Sequence, residues 1–232
     1  MAGKQLNTKI LAVRIIPNAD PMLLKNLDVR PGDKSLGIFT TDCDDVSYTA
    51  VDEATKKADV HVAYAKSMYA GSGNASTALA GEFIGILSGP DPEEVRSGLQ
   101  AAFSLIENDA HFYEANETGT VVYFAHCISR TGSYLSSQAG VPEGTPMAYL
   151  SEGAGIKEGE AIAYLIAPPL EASVGLDAAL KAADVELSLY YGPPTETNFA
   201  GGLLTGTQAS CQAACDAFAD AVCRIAEDPL AY

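Results

Sequence analysis

Apolar positions along this chain follow two spacings, and the change from one to the other marks its elements. Val95, Leu99, Phe103 and Ile106 recur every three or four residues behind Asp91 and Pro92, an N-cap and a first helical residue, which predicts an amphipathic helix. Cys211, Cys215, Phe218, Val222 and Ile225 repeat that spacing and predict a second. Short β-branched or apolar runs at 10–16, 36–40, 60–64, 81–89, 121–128, 161–166, 185–190 and 201–206 read as strands. Asp20 and Pro21 open a short helix after the first of these, and a matching short helix is expected after 121–128.

The pattern occurs twice. Asp52, Lys56, Ala58, Asp59 and Val60 return as Asp177, Lys181, Ala183, Asp184 and Val185, each 125 positions later, at the end of an alanine-rich helix that runs into a strand. The order β-α-β-α-β-β-α thus appears in both halves, and the chain is expected to split near 115–119 into two homologous domains, 1–115 and 116–232. Strands alternating with helices at this length give an α/β (α+β) fold, with helices packed on ferredoxin-like sheets. A shorter repeat also stands out: Ala139, Gly140, Glu143, Gly144, Ala148, Tyr149 and Leu150 return fifteen residues on as Ala154, Gly155, Glu158, Gly159, Ala163, Tyr164 and Leu165. Only one copy can form the strand before Ile166, so the other is expected to loop out.

Charge narrows the choice of partners. Fourteen basic against thirty acidic residues leave a formal net charge of −16, which repels nucleic acid and anionic membrane and suits a small cationic or polar ligand. With 47% hydrophobic residues there is ample material for a core. No apolar run reaches membrane-spanning length, since 161–170 is broken by Pro168 and Pro169. Lys4 and Lys9 are followed by no apolar block with a small-residue cleavage site, so no secretory leader is expected and the reading is cytoplasmic. Five cysteines without a CxxC pair fit buried, reduced thiols.

The chain has no phosphate-binding loop, dinucleotide fingerprint or His-Glu-x-x-His motif, which disfavours an enzyme. His61, His111 and His126 are the only imidazoles, and Gly71, Ser72, Gly73 and Asn74 read as a plain turn. Asp42, Asp44 and Asp45 follow one strand and precede a helix expected near Val46, so Asp44 or Asp45 is expected to cap it, with or without a ligand role. Glu171 is expected to occupy the corresponding corner of the second half. Residues 193–198, Pro-Pro-Thr-Glu-Thr-Asn, form a polar loop able to bind a small solute.

Several blocks carry a family likeness: Ser35-Leu36-Gly37, Thr41-Asp42-Cys43-Asp44-Asp45-Val46, Asp52-Glu53-Ala54-Thr55-Lys56, Ser67-Met68-Tyr69-Ala70-Gly71, Ser129-Arg130-Thr131-Gly132-Ser133-Tyr134-Leu135-Ser136, Ala167-Pro168-Pro169-Leu170-Glu171-Ala172 and Pro194-Thr195-Glu196-Thr197-Asn198. Together, from about Leu6 to Leu230, they resemble the EutL family, tandem-domain shell proteins of the ethanolamine-utilization bacterial microcompartment. The fifteen-residue duplication departs from the family pattern, which has one such segment. The resemblance implies two circularly permuted microcompartment domains, a homotrimeric pseudohexamer that tiles with other shell proteins, a gated central pore, and no catalysis. It assigns ethanolamine contacts to Asp44, Asp45, Glu82, Phe112, Glu196, Thr197 and Asn198. Carboxylates beside an aromatic face suit the ammonium of that ligand, and Thr and Asn suit its hydroxyl. It also implies a zinc position at His126 and Glu171 in an open-pore form, although two ligands from one chain are too few for a tight site. Two other readings compete: a soluble small-molecule-binding regulator with tandem ferredoxin-like domains, and an amine-transforming enzyme using Asp45, Glu82 and His126.

Overall fold

The structure, a computed structural model, describes residues 3–27, 29–68, 77–136, 156–192 and 199–230. Its strands are β1 (Gln5–Leu6), β2 (Ile10–Ile16), β3 (Ser35–Thr41), β4 (His61–Ser67), β5 (Phe83–Gly89), β6 (Phe112–Glu114), β7 (Val122–Ile128), β8 (Ala161–Ala167), β9 (Val185–Tyr191) and β10 (Ala200–Gly206). Its helices are α1 (Pro21–Leu24), α2 (Asp44–Lys57), α3 (Pro92–Asn108), α4 (Pro169–Ala182) and α5 (Gln208–Glu227). After β7, where a short helix is expected, residues 129–136 form bends and turns, and the stretch that follows, with the first copy of the fifteen-residue repeat, lies outside the described residues. The second copy supplies Ala163, Tyr164 and Leu165 to β8.

Contacts divide the chain into two units. The first holds Asn7–Ala110 together with Gly132 to Ser136; the second holds β1, His111–Thr131 and every element from β8 onward. The expected cut after residue 115 differs from this division at β6, because Phe112–Glu114 pairs with β7 on one side and with β1 on the other. In the first unit the sheet order is β2-β3-β5-β4; the second unit has β7-β8-β10-β9, extended by β6 and β1. All pairs are antiparallel.

The duplication extends to single residues. Ile16 faces Leu36 across β2 and β3, and Ile128 faces Ile162 across β7 and β8. Beyond the strands the correspondence continues: Ala19 N–H bonds Lys34 O at 2.8 Å, and Thr131 N–H bonds Glu160 O at 2.9 Å. Each sheet also carries a β-bulge at the same place, Ala63 in β4 and Ser188 in β9, where two residues oppose one on the partner strand.

Helices cover one face of each sheet. α2 and α3 pack on each other and on β5, and α4 and α5 pack likewise on β10. Asp91 caps α3 as expected, its carboxylate accepting from the N–H groups of Glu93 and Glu94 at 2.9 Å. Val95, Leu99 and Ile106 are buried, and Phe103 meets Phe39 edge-on at 5.4 Å. In α5 the corresponding positions Cys211, Cys215 and Val222 are buried with Phe218 against Leu165, Ala179 and Leu204. These two stripes give each unit its own apolar core.

Equivalent helices are nevertheless treated differently. Ser47, Ala50, Val51 and Ala54 of α2 and their counterparts Ala172, Gly175, Leu176 and Ala179 of α4 are all buried. α2 buries a second face as well, and its central residue, Asp52, is 0% exposed. The Asp52 carboxylate accepts from Gly132 N–H at 2.8 Å and Leu135 N–H at 2.9 Å, with Lys56 Nζ at 3.5 Å. Ser133 N–H adds a bond to Thr55 Oγ1 at 3.2 Å. Burial raises the Asp52 carboxyl above its ordinary range, while Lys56 and the two N–H groups pull it back. Gly132 is required at this joint because a Cβ would collide with Thr55 Oγ1.

Asp52→Ala is expected to destabilise the protein by about 2–5 kcal/mol in denaturant unfolding, because it leaves two buried N–H groups without their acceptor at about 1–3 kcal/mol each, while Lys56 keeps its ion pair with Glu53. Asp177→Ala removes only an exposed pair with Lys181 and is expected to change stability by less than about 0.5 kcal/mol.

Candidate functional site

The acidic residues singled out in the sequence converge where β3 ends and β5 begins. β3 and β5 pair so that Thr41 faces Phe83, which brings Asp42, just past β3, to the level of Glu82, just before β5. Glu82 N–H bonds Thr41 O at 2.8 Å, and Met68 N–H bonds Glu82 O at 2.7 Å, so the Glu82 backbone is held from both sides. Gly81 makes this turn with φ +66°, and a Cβ there would collide with the Thr41 carbonyl. Lys9 N–H donates to Asp42 Oδ1 at 2.6 Å and fixes that carboxylate.

The helix after β3 starts earlier than expected and is capped differently. α2 begins at Asp44, Cys43 is the N-cap residue, and no side chain caps it. Asp44 and Asp45 lie inside the first turn, where they complement the positive end of the helix dipole, and Asp44 Oδ1 accepts from Asp45 N–H at 2.9 Å. The expectation that one of them is the N-cap is therefore corrected. A buried hydroxyl pair organises the corner instead: Thr41 Oγ1 and Ser47 Oγ are 2.6 Å apart, one donating to the other, and the remaining hydroxyl proton goes to Cys43 O, which lies 3.0 Å from Thr41 Oγ1 and 2.6 Å from Ser47 Oγ. That arrangement holds Cys43 in the extended backbone the cap position needs and leaves the two carboxylates to the first turn.

The electrostatics follow from this crowding. Partial burial raises the Glu82 carboxyl above its usual range, and the Asp44 and Asp42 charges push it the same way. Cys43 is driven far up by burial and by the Asp45 charge, so it stays a thiol and is no nucleophile at neutral pH. A bound cation relieves this repulsion, and an ammonium supplies three donors to do so.

The other expected site residues belong to the second unit or fall outside the described residues. Phe112 belongs to the second unit, in β6, stacked on Phe124 at 5.3 Å and edge-on to Phe199 at 6.3 Å. Glu196, Thr197 and Asn198 lie outside the described residues. His126 sits in β7 opposite Tyr164, with its ring on Phe124 at 5.7 Å. Glu171 is in the first turn of α4, but the helices align end to end so that it corresponds to Val46 rather than Asp45. Among the described residues no group of three or more His, Cys, Asp or Glu is placed to hold a metal ion, so the pair does not fit a zinc site. His111 is buried with Nδ1 unbonded among the described residues. A cavity of about 370 Å³ in the first unit, lined by Val13, Ile15, Leu99, Phe103, Arg14 and Arg96, carries the wrong charge for an ammonium.

The sequence and fold have known counterparts. Residues 35–117 match the BMC domain. The whole chain is 56% identical to the whole of the bacterial microcompartment shell protein EutL of Clostridium perfringens (strain 13 / Type A). It is 47% identical, over 97% of its length and 96% of the relative's, to the EutL shell protein of Escherichia coli (strain K12). The crystal structure of the ethanolamine utilization protein EutL from Leptotrichia buccalis covers both chains fully at 58% identity, with a TM-score of 0.85. The chain belongs to the EutL family of bacterial microcompartment shell proteins. EutL proteins are structural rather than catalytic, and membership places this chain in a microcompartment shell in the cytoplasm. No helix among the described residues is long and apolar enough to cross a membrane.

Gly81→Ala combines positive φ with a collision at Thr41 and is expected to lower stability by about 1–3 kcal/mol in denaturant unfolding. Gly32 also has positive φ but has open space around it, so Gly32→Ala is expected to cost less.

Proposed function

We propose that this shell protein serves an ethanolamine-utilization microcompartment, assembles as homotrimers with other shell proteins, and binds ethanolamine beside a pore that admits small molecules. The observation that carries the ligand is the carboxylate cluster of the first unit, in which Glu82 is pushed toward protonation by its own desolvation and by Asp44 and Asp42. Asp44, Asp45 and Glu82 hold the ammonium, whose positive charge offsets the mutual repulsion of the carboxylates. The resemblance adds Phe112 as an aromatic face for the cation and Glu196, Thr197 and Asn198 as partners for the hydroxyl. The two EutL shell proteins and the ethanolamine utilization protein named above support the pathway, through identities of 47% to 58%. A trimer and a gated pore follow from the family resemblance, and the duplicated units supply two equivalent modules per chain. Zinc has no part in this reading.

Calorimetry with ethanolamine on the full chain tests the site. Asp45→Asn and Glu82→Gln are each expected to weaken binding roughly ten- to a hundredfold, as loss of a charge-assisted contact does. Unchanged affinity in both removes the cluster from the site. The pH dependence has a definite sign. The Glu82 carboxyl takes up its proton at a higher pH than an ordinary glutamate, so affinity is full above that titration and is lost as pH falls through it. Proton release on binding in that window is the accompanying signal. Electron microscopy of concentrated protein is expected to show sheets, which a soluble regulator does not form.

A further inference from the structure

The unequal treatment of α2 and α4 points to where a second copy of the chain attaches. In the first unit, Asp52 and Thr55 of α2 bind the segment Gly132 to Ser136, and Tyr134 and Leu135 of that segment are buried, Leu135 at 1% exposure. Every element of this joint has a counterpart elsewhere in the chain. Asp177 of α4 corresponds to Asp52, Leu180 to Thr55 and Val174 to Thr49, because the two fourteen-residue helices align end to end. The register of β2 with β7, extended by the matching bonds at Ala19 and Thr131, makes Asp20 the counterpart of Gly132 and Met22 and Leu23 those of Tyr134 and Leu135.

Both counterparts are bare. Val174 is 47% exposed and the Asp177 side chain 60%, where Thr49 and Asp52 are buried. Met22 is 77% exposed and Leu23 42%, where Tyr134 and Leu135 are buried. Two large exposed apolar residues on a four-residue helix, and a row of exposed apolar residues on α4 that also includes Leu170, mark surfaces that a partner covers.

We propose that Asp20 to Leu23 of one copy dock on the exposed face of α4 of a second copy, as Gly132 to Leu135 dock on α2 within the chain. Met22 and Leu23 cover Leu170 and Val174. The charges are complementary: a Cβ at Gly132 would collide with Thr55 Oγ1 and the Asp52 carbonyl and meet Lys56 Cγ next, so Asp20, the residue in its place, comes to the side of Lys181, the counterpart of Lys56, in a joint that sits farther from the helix than the internal one. Asp20, whose Oδ1 accepts from Met22 N–H at 2.8 Å, supplies the carboxylate, and Lys181 already meets Asp177 on its own helix at 2.6 Å. Because Asp20 has a Cβ where the internal joint has none, this joint rests on apolar contact and the ion pair rather than on a buried carboxylate. The two faces differ, so the contact is heterologous, and repeated copies close into a ring or continue as a filament. This inference rests on the homotrimer proposed above and names the surfaces that form it.

Cross-linking of the full chain tests it. Met22→Cys and Val174→Cys are made separately on chains carrying tags of different mass, then mixed and oxidised. The expected result is a disulfide between the two tags in the mixture and none in either variant alone or in the wild type. A second arm needs no disulfide. Leu23→Asp is expected to weaken association roughly tenfold or more by light scattering while the far-ultraviolet circular dichroism of the folded chain stays unchanged, and Lys181→Asp is expected to be rescued by Asp20→Lys. A wild-type trimer that gives no mixed disulfide and is indifferent to Leu23→Asp overturns the joint and leaves the proposed function standing. A wild type that is monomeric at every concentration overturns both.

Discussion

A single carboxylate removed from water sets the terms for the first unit. Asp52 is enclosed by its helix and by a segment eighty residues further along the chain, and an ionised group there survives only if its oxygens are occupied. Two backbone N–H groups and Lys56 occupy them. The two N–H donors, of Gly132 and Leu135, belong to a stretch without regular structure. Each side satisfies the other, so the irregular segment and the second face of α2 are ordered together or not at all.

This interdependence explains why two copies of one architecture differ in detail. Strand order, bulge position and the buried stripe on the central helix are shared by both units. They concern the packing of helices on a sheet, which each unit must solve alone. The second face of the helix concerns what lies outside the unit, and there the residues diverge: Thr49, Asp52 and Thr55 against Val174, Asp177 and Leu180. Shell function fits this division, since a tile needs a rigid interior and edges that differ according to what each one meets. The acidic corner at Asp42, Asp44 and Glu82 is a further divergence, because α4 opens with Pro169, Leu170 and Glu171 in place of paired aspartates.

Much of this was legible in the amino-acid sequence because duplication makes periodic signals reinforce one another. The Asp52 and Lys56 spacing and its echo at Asp177 and Lys181 revealed the two halves, and Asp91 with Pro92 marked the start of α3 correctly. The cap of α2 was misread because Asp is a strong capping residue, while the Thr41 and Ser47 hydroxyls that organise the corner act across six residues. β1 and β6 left no trace, being two and three residues long with too little alternation to register. The likeness to a known family brought Glu82 into the candidate site. Its closeness to Asp42 depends on the pairing of β3 with β5, and a linear reading does not contain that distance. The burial of Asp52 was hidden for the same reason, since Gly132 and Leu135 meet it only in three dimensions.

The paired bulges at Ala63 and Ser188 bear on how such a chain tolerates changes in length. Elsewhere in these strands, gaining or losing one residue turns every later side chain to the opposite face and carries the core outward. At the bulge the extra residue is already outside the pairing ladder, so the downstream alternation is counted from the far side of it. Both sheets therefore hold one spare step in the same strand. Deleting it would straighten β4 or β9 while keeping the same residues directed inward.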